Sequence, residues 1–230
     1  MISQRRLFPL CAYLICIFGN IPAILMVMHM KGHNSFTVLH VQHNSSHNEI
    51  LRQAHKVDIV DTETEASRLA TTYGIKGTSV LSTLSSVSFP ISFPFDFMHL
   101  IYENVLKNLI LLWTGDYKGL DSGTRSYELK FWDVIGAASA ASGETIPGAF
   151  GARLQNVAND KALCTADMWS FWMLYLGPIL LSKKFEREIY YTHFIGLVKL
   201  VNLCLQFELF CRDVAIIHSG FQDWVKKYEQ

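Results

Sequence analysis

The sequence has no surplus of either charge: 20 basic and 20 acidic side chains balance over 230 residues. Charge is scarce altogether, at 17% of residues, while half the residues are hydrophobic. Those proportions exclude a disordered polyelectrolyte and leave enough apolar material for a real core. With 14 glycines and 6 prolines, the chain is too poor in both for a collagen-like repeat. Zero net charge argues neither for nor against a nucleic-acid partner. Cysteine is also sparse. Cys11, Cys16, Cys164, Cys204 and Cys211 make an odd count with no C-x-x-C pair. That argues against a disulfide framework or a four-cysteine zinc site and fits reduced core thiols in an intracellular compartment. At about 100–200 residues per domain, the length allows one domain or two small ones.

Leu7 to Met30 lacks any charge, with Arg5-Arg6 before it and Lys31 after it. Its length and flanks suit a membrane span or an N-terminal anchor. Gly19-Asn20-Ile21-Pro22 breaks the run near its middle, however. Asn favours the N-cap and Pro the first helical turn. The stretch is therefore read as a buried strand, Leu10–Phe18, a tight turn, and a helix, Ile21–Met30, with no membrane partner. A small-x-small cleavage site is poorly supplied, so the protein is not expected to be secreted.

Six of the nine histidines lie between His29 and His55, in a polar stretch read as a loop. His40, His43 and His47 have spacings that fit a metal on a helix. Only Glu49 and Asp58 lie near to complete such a site, and a solvated histidine-rich loop is the plainer reading. Glu49–Tyr73 reads as one helix ended by Gly74 and Gly77. Ser85 to Phe93 alternates small polar and apolar residues as a strand does, although Pro90 and Pro94 confine it to an edge or an irregular segment. Helices are predicted over Phe97–Leu112, Phe131–Ala141, Thr165–Leu181, Ile189–Phe210 and Asp213–Tyr228. The fourth is apolar-striped, the last amphipathic. Thr165–Leu181 is apolar on every face and is expected to be the most buried element. Lys31, Arg52, Lys56 and Lys76 suit DNA phosphates as residue types but form no cluster in the sequence beyond a solvated face.

Asp96-x-x-His99 followed by Glu103-Asn104 resembles the D-x-M-H-x-x-x-E-N block of CACTA (En/Spm)-type transposases, in the form carried by mushroom-forming fungi. Ala12–Asn34 is similar to that family's strand, G-D-x-P-A turn, helix and M-K-G-H-N segment. Further matching blocks are Tyr73-Gly74-Ile75-Lys76-Gly77, Leu112-Trp113-Thr114-Gly115, Ile146-Pro147-x-x-Phe150-Gly151 and Trp169-x-x-Trp172. In this order they cover nearly the whole chain. The resemblance implies a mainly α fold with a small α/β part. Residues 1–98 would be an incomplete RNase H-like core with the histidine-rich loop at 29–55, and residues 99–230 a helical assembly. It further implies cut-and-paste DNA transposition, transposon-end DNA as partner, and a nuclear or cytoplasmic location.

In the family three carboxylates hold two magnesium ions. Such ions sit about 3.5–4 Å apart and need hard oxygen ligands close together for in-line displacement at phosphorus. Carried over position by position, the first carboxylate falls on Asn20, because the turn reads G-N-I-P-A. Asp96 matches the second, with His99 as its companion. The third belongs to a downstream E-R-Y block that does not occur before Gln230, and Glu103 already matches another family position. The C-x-x-C pair that follows M-K-G-H-N in the family is missing, and His40 and His43 are out of register with it. The expectation is a degenerate copy, catalytically dead, with no cofactor of its own; a retained DNA- or protein-binding module, or a protein anchored to a membrane by its N-terminus, is the alternative. For the individual side chains the plainer roles are helix caps at Asn20 and Asp96 and a buried hydrogen-bonding ring at His99.

Overall fold

The computed structural model describes residues 14, 16–32, 45–117, 127–148 and 153–229. The chain divides into two compact units, Met1–Asp96 and Phe97–Gln230. The protein is mainly helical; among the described residues two isolated backbone bridges stand in place of a sheet.

In the first unit, Asn20 and Pro22 start helix α1, Ile21–Val27, as their residue types dictate. Helix α2 is His47–Asp58 and α3 is Glu63–Tyr73. The single helix expected over Glu49–Tyr73 is therefore two. Ser46 Oγ accepts from Glu49 N–H and Thr62 Oγ1 from Glu65 N–H, each at 3.3 Å, so each helix has its own cap and acidic first turn. The histidine-rich stretch is also corrected, since its second half is α2 and not loop. Gly74 closes α3 in the left-handed conformation, φ 70°.

The strand expected over Ser85–Phe93 is absent. A 3-10 turn at Val80–Thr83 leads into tight turns closed by Ser92 N–H to Ser88 O and Phe93 N–H to Pro90 O. The prolines favour turning over laddering here. Beyond these turns Phe95 bridges Gly19 in parallel, and Ser92 O accepts from Ile17 N–H. Of the other expected strand, Leu10–Phe18, most lies outside the described residues. Ile24, Leu25, Met28, Met30, Ile50, Ile75, Phe89 and Phe93 form this unit's core.

The second unit begins with a π-helical stretch, Met98–Val105, that runs into α4, Leu106–Trp113. Leu106 N–H bonds to Ile101 O, and Asn104 Nδ2 donates to His99 O at 2.6 Å. Helix α5 is Trp132–Ser142. Then come α6, Ala166–Phe171, a π turn at Trp172–Leu176, and α7, Gly177–Leu180. Pro178 has no N–H for the carbonyl four residues back, and Gly177 N–H reaches Trp172 O instead. This composite helix is less buried than its sequence suggests. Trp169, Trp172, Met173 and Leu181 are inside, but Tyr175 is 53% and Ile179 72% exposed. Single exposed apolar side chains cost little, so an apolar sequence on all faces does not force a central position.

Helix α8, Glu188–Cys204, stops six residues short of the expected Phe210. Gln206 Nε2 donates to Asn202 O at its end, and Phe210 N–H donates to Asp213 Oδ2 to open α9, Cys211–Tyr228. The centre of this unit is Trp172. Its Nε1 donates to Ser139 Oγ at 3.0 Å, with both residues fully buried, and its ring meets Trp132 and Trp169 edge-on. His193 and Trp224 lock α9 onto α8. Their rings stack at 4.4 Å, Trp224 Nε1 donates to His193 O, and His193 Nε2 donates to Trp224 O.

Two outcomes follow from this packing. Trp172→Ala should lower stability by about 3–5 kcal/mol in chemical denaturation, and Ser139→Ala by about 1–3 kcal/mol, because the indole N–H is left unpaired in a dry core. Burial holds the His193 pKa below the ordinary histidine value. The neutral ring is therefore the stable folded form. Its contribution is complete above the unfolded value of about 6.5 and falls away as pH drops through the lower folded value. The urea midpoint should decline from neutral pH toward pH 5, and His193→Gln should flatten that decline.

Candidate functional site

Asn20 ends the first extended segment, and its Oδ1 accepts from Ala23 N–H at 3.0 Å. This is the N-cap role expected of an Asn before Ile-Pro. Asp96 ends a second segment. Gly19 bridges Phe95 in parallel, and Asp96 N–H donates to Gly19 O at 2.9 Å. Asn20 and Asp96 each follow a bridged residue, so they sit side by side at the same end of two parallel segments. Neighbouring paired backbones lie about 4.8 Å apart. Positions 76 residues apart in sequence thus meet through one backbone hydrogen bond. Asn20 is exposed and Asp96 half-buried.

The donor set can be weighed against two divalent ions. Asp96 brings one negative charge. Asn20 brings a neutral carbonyl oxygen already engaged by a backbone N–H. Two ions carry a total charge of +4 and need several anionic oxygens to fix their spacing. The pair does not fit two magnesium ions, and no step is derived through them.

In the second unit, His99 and Glu103 lie one helical turn apart, with Nε2 and Oε2 3.4 Å from each other. The His99 side chain is 43% exposed. It is a half-exposed partner of Glu103, not the buried ring expected from the sequence. Tyr102, between them in sequence, is buried, and that burial raises its hydroxyl pKa to about 12.

His47 turns out to be structural. Its Nδ1 accepts Phe89 N–H at 3.0 Å and its ring stacks on Phe89. His40 and His43 lie outside the described residues. Among the described residues, no three of His, Cys, Asp and Glu gather as a metal site would require. Of Lys31, Arg52, Lys56 and Lys76, Arg52 is spent on Glu49; Arg68, outside that set, is spent likewise on Glu65. Hydrogen bonds from the arginines hold both carboxyls below their usual range.

The sequence blocks are largely structural devices. Trp113 is buried against Phe185 and Phe194. Gly115 turns at φ 74°, and Asp116 behind it takes a hydrogen bond from Thr114 Oγ1 and one from Lys161 Nζ. These two bonds lower the Asp116 pKa. The block at Tyr73–Gly77 pairs with the Met30-Lys31 segment: Met30 bridges Ile75 antiparallel, and Lys31 N–H donates to Gly74 O. No sequence periodicity pointed to that pairing, because both segments are too short to show one. Phe150 and Gly151 of the Ile146-Pro147 block lie outside the described residues. Among the described residues, no helix is long and apolar enough to cross a membrane.

Asn20→Ala should cost about 1 kcal/mol through the lost cap, whereas Asn20→Asp should change stability by less than about 0.5 kcal/mol, since Asp caps as well as Asn. Thermal unfolding of the two variants measures this. Equal losses in both would show that the cap contributes nothing. Searches against family models, curated proteins and solved structures find no match to this chain.

Proposed function

We propose that the chain is a transposon-derived protein, descended from the catalytic region of a CACTA-type DNA transposase with an RNase H-like core, and silent in DNA cleavage and strand transfer. The observation that supports this reading best is the Gly19–Phe95 bridge. It sets Asn20 and Asp96 next to each other at the two positions that match the family's first and second carboxylates. An RNase H-like site needs that adjacency, because two metals must share ligands from neighbouring segments. The same observation supports the loss of activity. One of the two adjacent positions carries an amide, and its oxygen is used to cap α1.

The purified 230-residue chain, given magnesium or manganese and DNA carrying transposon ends, should neither nick nor join it. Asn20→Asp alone should not restore activity, since two carboxylates still leave the metal pair under-liganded. Gel analysis of supercoiled and end-labelled DNA reads the result. Metal-dependent cleavage by the unmodified chain, abolished by Asp96→Ala, would overturn the reading.

A further inference from the structure

The antiparallel bridge between Met30 and Ile75 gathers cations that are far apart in the sequence. Lys31 N–H donates to Gly74 O at 2.9 Å and Lys76 N–H to His29 O at 2.8 Å. Met30 and Ile75 are each 1% exposed. Beside these two buried residues, His29 and Lys76 are exposed and Lys31 is half-buried, so all three reach the surface along this edge. Lys31 Nζ is steadied by Thr71 Oγ1 at 2.9 Å, and that hydroxyl donates to Ser67 O. Among the described residues, neither lysine has a carboxylate within ion-pair distance. Arg52 and Arg68, by contrast, are both neutralised by glutamates. The Asp58 carboxylate borders the edge and accepts Thr78 N–H at 2.9 Å.

His29 is the unusual member. It sits at φ 59° just past α1, where His29 N–H donates to Met26 O and Met30 N–H to Leu25 O. That Schellman closure favours glycine. A histidine there carries a conformational cost that local structure does not require. Its Cε1 lies 3.5 Å from where a Cβ on Gly77 would stand, which puts the ring against the residue after Lys76.

We propose that His29, Lys31 and Lys76 form a docking surface for the phosphate backbone of duplex DNA, with Thr71 Oγ1 holding the Lys31 ammonium in place. The inference rests on the descent from a DNA-handling enzyme and names a surface for it. Two ammonium groups and an imidazole match phosphate oxygens and carry no base information, so the interaction is independent of sequence.

The test titrates the full chain with fluorescent duplexes of unrelated sequence at several potassium chloride concentrations. Lys31→Gln with Lys76→Gln should weaken binding equally for every duplex. It should also reduce the slope of log affinity against log salt by about 2, at about 0.9 for each phosphate no longer neutralised. Lys76→Gln alone, at an exposed residue, should take about half of that change and carries the test if the double variant does not fold. Arg52→Gln should leave the slope unchanged. His29→Gly should raise or preserve the thermal midpoint while weakening affinity, a combination that a purely structural His29 does not give. DNA binding with an unaltered slope in the lysine variants would overturn the surface and leave the proposed descent standing. Absence of DNA binding by the unmodified chain at low salt would also overturn the surface; the descent is judged separately by the cleavage assay.

Discussion

Two backbone hydrogen bonds, Ile17 N–H to Ser92 O and Asp96 N–H to Gly19 O, tie residues 17–19 of the first unit to residues 92–96. They join the segment before α1 to the segment that closes the unit. Everything placed between them inherits their geometry. Ile24 and Leu25 of α1 are pressed onto Phe89 and Phe93, which the turns before Phe95 deliver to the same core. His47 adds a third tie, because its ring nitrogen takes the Phe89 N–H that the turn leaves over. Asn20 and Asp96 are neighbours as a consequence of this pairing, whatever chemistry either side chain retains.

At residue 20 the fold does not distinguish Asn from Asp, whereas metal chemistry would. Asn and Asp serve equally well as N-caps, because either offers an oxygen to the free N–H groups of the first turn. They differ by a full negative charge, which metal binding needs and helix capping does not. An Asp at this position would therefore fold as well as the Asn does. The same separation applies to the tryptophan pair of the second unit. Trp169 and Trp172 are held by burial, edge-on ring contacts and the Ser139 hydroxyl, none of which depends on a reaction.

Helix positions were legible wherever capping or periodicity was local. Asn20-Ile21-Pro22, Thr165 with Asp167, and the stripe of α8 all announce their helices. Thr62-x-x-Glu65 announced the start of α3 just as clearly, and the apolar anchors on both sides concealed it by suggesting one continuous helix. The break between α8 and α9 was expected after Phe210 and falls earlier, after Cys204. Leu205, Phe207, Leu209 and Phe210 continue an apolar run, yet Asp213 captures Phe210 N–H and restarts the helix. The alternation at Ser85 to Phe93 misled for another reason. A period of two suits a strand only where a partner strand is available, and the prolines turn the chain before one is met.

By itself the sequence determined the local decisions: the caps, the stop at Gly74, the uncharged Asn20, and the Asp96-x-x-His99 block that carries the family resemblance. These depend on residues within one or two turns of each other, where side-chain type and spacing suffice. Only the tertiary structure decided which distant segments meet. It placed Asn20 beside Asp96, Lys31 and Lys76 on one edge, and Ser139 under the Trp172 indole. The first two meetings run through one or two backbone hydrogen bonds between segments too short to leave a period in the sequence. The third joins side chains of two helices whose periods say nothing of which faces meet, and the burial of the apolar residues around it fixes it.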